Sequence, residues 1–377
     1  MIIKRFLLSF FAITCLLSSC YKSIPISKIE SNNPSSTCYS SSLDLTSNLL
    51  EEYCLIVFDS FGGSIVESQS VKKGNKVQKP SDPSKYGFQF VNWTYNGKDW
   101  DFDKTVVTNP MTLAAKWEIC NGALIVGGNG DYSTISSAIL AANDNDVIVI
   151  TNGIYEEQVN NLNKCVHIAG ESRSGVIWKF PNTNYGLSPY ECGMGSIRNL
   201  TILAYDNGSI SDNRSYCIHL DHFAHYESHP PMSNYFFCEN VRMINDCNEV
   251  IGIGMRPNFV AEFVNCVFET ISGDEACFYV HASTSSTTTN AKCILTNCTI
   301  TNNSLAGQKG SLRIEGYNMT HGGCIALFKN NNCINLGGGP SFMLHNRTTI
   351  YNNWSDQNDW LLDSESSRNN IDSINSK

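Results

Sequence analysis

Five segments of this chain, IRNLTI, CENVRM, VNCVFE, TNCTIT and NNCINL, share one pattern: an asparagine, an apolar residue or cysteine, then apolar–polar alternation. The asparagines are Asn199, Asn240, Asn265, Asn297 and Asn332. A second set, CIHLD, VIGIG, CFYVH and CIALF, begins at Cys217, Val250, Cys277 and Cys324 and interleaves with the first. VIGIG joins by its alternation rather than its first residue. Alternation of period two makes each segment a strand. Interleaved self-similar strands restrict the chain to a solenoid, in which each repeat buries its apolar face only against its neighbours. The spacing predicts a coil whose turns each contribute two matched strands, pairing in parallel with the turns above and below, about 4.8 Å away. Variable gaps between repeats are loops inserted on one side.

This architecture gives the cysteines and asparagines structural work. Cys266, Cys298 and Cys333 take the same place in three successive turns. Free cysteine behaves as a small buried hydrophobe, so a stack in a narrow core accounts for them better than disulfides do. The preceding asparagines form a ladder at a corner, each amide bonding its neighbour's backbone.

Strand alternation also places the polar residues. In CIHLD, Ile218 and Leu220 point inward, so His219 and Asp221 share the outer face, about 7 Å apart. The same columns then hold Gly252 and Gly254, Tyr279 and His281, and Ala326 and Phe328, with Arg256 one step beyond the glycines. A row of His219, Asp221, Arg256, Tyr279 and His281 over a floor of Gly252 and Gly254 fits a shallow polysaccharide groove. The same residues also fit the polar outer face that any such coil must carry, and both readings stand. If the groove is catalytic, His219 or His281 supplies a base, with Arg256 against a sugar carboxylate, as uronate elimination requires. Hydrolysis needs two flanking carboxylates, and this face offers only Asp221.

The neighbouring His222, His225 and His229 precede Pro230-Pro231, which marks an extended turn. Zinc would need three or four of these ligands converging tetrahedrally, so no histidine metal site is assigned. A calcium site built from Asp221 with Asp274 or Glu275 is the oxygen-ligand alternative. No motif demands a cofactor.

Upstream, Gly130-Asp131-Tyr132-Ser133-Thr134-Ile135 leads into an apolar helical segment over residues 135–142. An apolar strand from Val147 to Ile150 follows, then Gly153-Ile154-Tyr155 and Val166-His167-Ile168-Ala169-Gly170-Glu171. This stretch resembles the N-terminal cap and first rung of pectin methylesterases and related right-handed β-helix proteins. The resemblance implies an all-β fold: a right-handed parallel β-helix over residues 119–362 with a short N-terminal capping helix. That family's catalytic segments Gln-Asp-Thr, Asp-Phe-Ile-Phe-Gly and Trp-Gly-Arg do not occur here. Its nucleophile therefore has no counterpart, although Gly273-Asp274-Glu275 lies in a comparable part of the coil. An enzyme of this architecture would be a polysaccharide lyase or carbohydrate esterase.

Residues 51–118 form a separate small β module, with short β-prone runs between the turns Phe61-Gly62-Gly63, Lys73-Gly74-Asn75 and Asn96-Gly97. Phe58-Asp59, Gly87-Phe88, Trp93, Trp100-Asp101-Phe102 and Ala115-Lys116-Trp117 resemble the B repeat of internalins, the Listeria–Bacteroides repeat. The resemblance implies a spacer or adhesive element of surface proteins, its tryptophans serving as core.

Lys4 and Arg5 precede a short apolar run, Phe6 to Leu17, and then Leu17-Ser18-Ser19-Cys20. The run is too short to span a bilayer and fits a secretory signal, residues 1–19. The four residues resemble the lipobox of bacterial lipoproteins, which implies a lipidated Cys20 and an extracytoplasmic protein held to a membrane by two acyl chains. Residues 20–50, rich in Ser and Asn, read as a flexible tether, and residues 363–377 as a polar tail. Removal of the signal takes the formal charge from −9 to −11, which argues against nucleic acid as a partner. The expected partner is a polysaccharide or a host or matrix surface. Two functions follow: a surface lipoprotein that recognises or processes polysaccharide through the groove, or a non-catalytic adhesin or structural protein with the B repeat as spacer.

Overall fold

The computed structural model describes residues 52–159, 164–181, 186–187, 195–206, 216–220, 235–246, 248–255, 258–273, 275–282, 292–304, 310–315, 325–336, 342–345, 349–353 and 360–362. The signal, Cys20, the tether and the tail lie outside them. Among the described residues, no helix is long and apolar enough to cross a membrane.

The first module is a five-stranded sheet of β1 (Tyr53–Asp59), β2 (Gln69–Lys72), β3 (Phe88–Tyr95), β4 (Lys98–Asp99) and β5 (Met111–Ile119), in the order β2-β1-β5-β3-β4. Alternation in β1 buries Cys54, Ile56 and Phe58 beneath Trp93, Val107 and Leu113. Phe58 meets Trp93 edge to face at 4.9 Å. Trp93 and Trp100 are core residues, whereas Trp117 is half-buried at the margin and donates from Nε1 to the Ser60 carbonyl at 2.9 Å. The turns adopt the positive φ that their residues tolerate, at Gly62, Gly74, Asn96 and Gly97.

After its first strand, Leu124–Val126, the coil carries α1 (Ile135–Ala141), a short helix tied at both ends. Thr134 caps its start, and the Glu157 carboxylate accepts from the Ile135 and Ser136 amides at 2.6 and 2.9 Å. The Lys164 ammonium donates to the carbonyls of Leu140 and Ala142 at 2.6 and 2.7 Å. Negative charge at the N-terminus and positive charge at the C-terminus both complement the helix dipole. The rungs of the coil are parallel strands in three stacks of nine, seven and six. The first sheet runs from Leu124–Val126 to Thr349–Asn353, the second from Gly153–Glu156 to Asn332–Asn335, and the third from Ile218–Leu220 to Trp360–Leu362. Between them lies a continuous apolar core with Phe236, Phe263, Phe268 and Phe278 in edge-to-face contact.

Each complete turn therefore carries three strands, where the spacing predicts two. The segment Ile325–Lys329, expected to follow Phe278–Ala282 in the third sheet, pairs instead with Lys292–Thr296 in the first. The rung that does follow is Leu312–Glu315, which puts Arg313 and Glu315 where Ala326 and Phe328 were expected. Alternation alone does not distinguish a wall of one sheet from a wall of the next, which is why the two strands exchange places.

The corner between the first and second sheets is where the asparagine ladder stands. Asn199, Asn240, Asn265, Asn297 and Asn330 have φ of 54–55°, the left-handed region that asparagine tolerates better than other side-chain-bearing residues. The last member is Asn330, not Asn332, because the corner falls immediately after Lys329, where the strand ends. Cys333 consequently aligns with Ile300, and the place of Cys266 and Cys298 passes to Asn331. The buried Asn331 amide spans the same step, accepting from the Cys298 amide and donating to the Leu295 carbonyl, both at 2.8 Å. Where backbone acceptors were expected, two links of the ladder join side chain to side chain: Asn240 Nδ2 donates to Asn199 Oδ1 at 2.8 Å, and Asn330 Nδ2 to Asn297 Oδ1 at 3.3 Å. The described cysteines are all free thiols, and all but Cys120 are buried.

The small sheet and the coil belong to one compact unit. The turn before β3 reaches the outer face of the first sheet. There Tyr86 lies against Arg198, whose guanidinium carbon is 4.1 Å from the Tyr86 centroid and 4.6 Å from that of Phe237. Gly87, at φ 80°, leaves room for Val149, whose Cγ2 would stand 3.0 Å from a Cβ there.

Candidate functional site

Parallel register in the third sheet puts His219, Gly252, Tyr279 and Arg313 side by side on consecutive rungs. In the adjoining column the backbones of Gly254, His281 and Glu315 are paired. His219, Gly252 and Tyr279 are thus brought into one row, and Arg313 joins it through a strand, SLRIE, whose alternation was legible but was not assigned to this sheet. Asp221, Arg256 and Asp274 lie outside the described residues, as do His222, His225 and His229.

His219 stands on the face opposite Ile218 and Leu220, yet only 6% of it is exposed. Tyr216 covers it, with ring centroids 4.5 Å apart and planes tilted by 35°. The same tyrosine occupies the space over Gly252. A Cβ at that glycine would come within 2.5 Å of Tyr216 Cε1 and 2.9 Å of His219 Cδ2. Gly252 is therefore not an open floor: its missing side chain makes room for Tyr216. This end of the row is packed, and imidazole chemistry at His219 would require Tyr216 to move.

The other end is polar and half-buried. The Arg313 guanidinium carbon lies 5.3 Å from the Tyr279 centroid, within the range of a cation–π contact. Its Nη1 is 3.9 Å from Glu275 Oε2, and both side chains are 18% exposed. Glu275 is the described member of the proposed calcium set. A divalent cation there would share its carboxylate with a guanidinium, which opposes cation binding on Coulombic grounds. Among the described residues, no group of three or more His, Cys, Asp or Glu side chains is placed to hold a metal ion. Chemically, Tyr279 offers a ring face and a phenol, and Arg313 a planar donor fork suited to hydroxyls and carboxylates.

Residues 55–116 match the Listeria-Bacteroides repeat domain. Two proteins of Evansella cellulosilytica are also similar. One, provisionally named a membrane protein, is 33% identical over 88 residues, 22% of this chain and 13% of that one. The other, provisionally named a Gly-rich membrane protein, is 37% identical over 73 residues, 19% of this chain and 8% of that one. The alignments thus span 13% and 8% of the relatives' own length. Among solved structures, the pectin methylesterase of Aspergillus niger is 12% identical, covering 60% of this chain and 90% of that one with a TM-score of 0.34. The pectin methylesterase of Erwinia chrysanthemi is 15% identical, covering 60% and 70% with a TM-score of 0.33. At such values no residue-level correspondence is carried between the chains.

Proposed function

We propose that this protein is a surface lipoprotein that recognises polysaccharide on the outer face of the third sheet of its β-helix. The observation that carries this reading is the Tyr279–Arg313–Glu275 group on adjacent rungs: an aromatic face, a donor fork and a carboxylate, each half-buried and mutually oriented. Successive rungs repeat at a fixed spacing, so a solenoid sheet offers an extended surface for a repeating ligand. The lipobox-like Leu17-Ser18-Ser19-Cys20 supports attachment through Cys20. The Listeria-Bacteroides repeat and the membrane-protein names of the Evansella relatives agree with a surface location.

The test is to screen the full-length protein against a panel of neutral and acidic polysaccharides, with and without calcium, measuring both retention and released product. Retention that falls in Tyr279→Ala supports the reading, and released product extends it to catalysis at this face. Absence of both across the panel overturns it in favour of a surface protein with a non-glycan partner. Lipidation is read separately: incorporation of a labelled fatty acid is expected in the wild type and lost in Cys20→Ala.

A further inference from the structure

A second polar-aromatic place lies far from the third sheet in the sequence, at the seam between the small module and the first rungs of the coil. A cavity of about 540 Å³ opens there, within the size range of small-ligand sites. The module contributes Phe61, Lys85, Phe88 and Trp117, and the coil contributes Asn152, Glu171 and Ser172.

Lys85 is the unusual member. It is 8% exposed, and its ammonium donates to the Glu171 carbonyl at 2.7 Å. The ammonium nitrogen stands 4.2 Å from the Phe88 centroid and 5.5 Å from that of Trp117. Among the described residues no carboxylate comes within ion-pair distance of it. The nearby Glu171 side chain is engaged elsewhere, accepting from the Asn152 amide at 2.8 Å. An ammonium has three donors, and buried charges are ordinarily paired. One carbonyl and two ring faces contact this cation, and the Glu171 carboxylate acts on it only from beyond ion-pair distance, beside a cavity. Burial pushes its pKa down to about 8, partly opposed by the negative charge of Glu171.

The rim is equally specific. Phe61 is half exposed and holds φ at 47°, a conformation that disfavours a bulky side chain. The turn sustains it, with the Phe61 amide donating to Asp59 Oδ1 at 2.9 Å and the Gly63 amide to the Ser60 carbonyl at 3.1 Å. Strain of this kind concentrates at functional positions. Across the cavity, Ser172 donates to Asn152 Oδ1 at 2.7 Å, which directs the Asn152 amide as a donor group.

We infer that the seam cavity binds an anionic saccharide unit, its carboxylate or sulfate against Lys85 and its ring against Trp117 and Phe61. The aromatic faces and hydroxyl and amide lining suit a sugar, and an ammonium with no carboxylate at ion-pair distance favours one with negative charge. A lysine is a point charge without a preferred fork geometry, so carboxylate and sulfate are both accommodated. The site is independent of the third-sheet face, and neither inference needs the other.

Three probes decide the matter on the full-length protein: D-glucuronate, D-glucose 6-sulfate and D-glucose, titrated by ligand-observed NMR. Saturable binding of one or both anions is expected, with glucose at least about tenfold weaker, and the stronger anion identifies the source. Lys85→Met should weaken anion binding at least about tenfold, while Asn332→Ala, at an exposed position of the second sheet outside both faces, leaves it unchanged. Lys85→Met exchanges a buried charge for an apolar chain of similar length, a change that cores tolerate, and an unaltered circular dichroism spectrum verifies the fold. Equal response to glucose and the anions, undiminished binding in Lys85→Met, or no saturable binding of any probe would each overturn the inference.

Discussion

Arg313 lies with its guanidinium carbon 5.3 Å from the Tyr279 ring centroid, one rung further along the third sheet. The pair is the described part of the outer face that offers both a ring and a fork of donors. Tyr279→Leu keeps a side chain on the strand but removes the ring face, a loss of about 1 kcal/mol or roughly fivefold in affinity. Affinity electrophoresis in polysaccharide gels measures it. An unchanged mobility shift would remove this face from the site.

Gly252 tests whether the other end of the row is open or packed. With Tyr216 Cε1 2.5 Å from an added Cβ, Gly252→Ala forces the ring aside and should destabilise the protein by about 1–3 kcal/mol. Urea unfolding gives the figure, and the near-ultraviolet circular dichroism should change with it. A neutral substitution would mean that Tyr216 does not rest on the glycine.

The corner assignment is tested by two asparagines two residues apart. Asn330 has φ 54° and donates to Asn297 Oδ1 at 3.3 Å, whereas Asn332 begins an exposed part of a strand. Asn330→Ala places a Cβ-bearing residue without a compensating amide in the left-handed region, costing about 1–2 kcal/mol. Asn330→Gly should cost less, and Asn332→Ala should stay within about 0.5 kcal/mol of wild type. The reverse order of midpoints would return the ladder to Asn332.

Lys85 should leave a mark on the pH dependence of stability. Its folded pKa, about 8, lies below the ordinary 10.5, so between these values the unfolded chain holds more protons than the folded one. Stability from this group therefore rises as pH climbs from about 8 towards 10.5, and is flat below, where both states are protonated. Tyr86 and Tyr235, whose phenols are held above their usual range by burial, titrate higher and act in the opposite sense. The difference in melting temperature between wild type and Lys85→Met isolates the lysine. The mutant's advantage should be largest at pH 7 and shrink towards pH 10, and an advantage that grows with pH would contradict the burial of the charge.

Thiol labelling separates core cysteines from surface ones. Burial pushes the Cys277 thiol up to about 12 and the Cys217 thiol higher still, leaving almost no thiolate at neutral pH. Among the described cysteines, peptide mapping after brief native alkylation should find Cys120 modified and the others only after denaturation. Native modification of Cys266 or Cys298 would show that the stack is not closed.

The repeat pattern by itself determined that this chain is a parallel coil with a small β module ahead of it. Period-two alternation, an asparagine at each corner and the turn glycines are local signals, and each acts through the backbone of its own residue. Local pattern also placed Gly252 beside Tyr279, because short connections through one strand of each other sheet kept those strands in order. It did not determine how many walls a turn has, which of three successive asparagines holds the corner, or that Arg313 rather than Ala326 follows Tyr279. Those depend on which apolar faces meet across the core and on where each strand ends, quantities set by contacts between residues some 30 positions apart. Tertiary structure alone decided that Tyr216 closes over His219 and that Lys85 is buried beneath another module, because burial is a property of the neighbours a side chain acquires and not of the side chain itself.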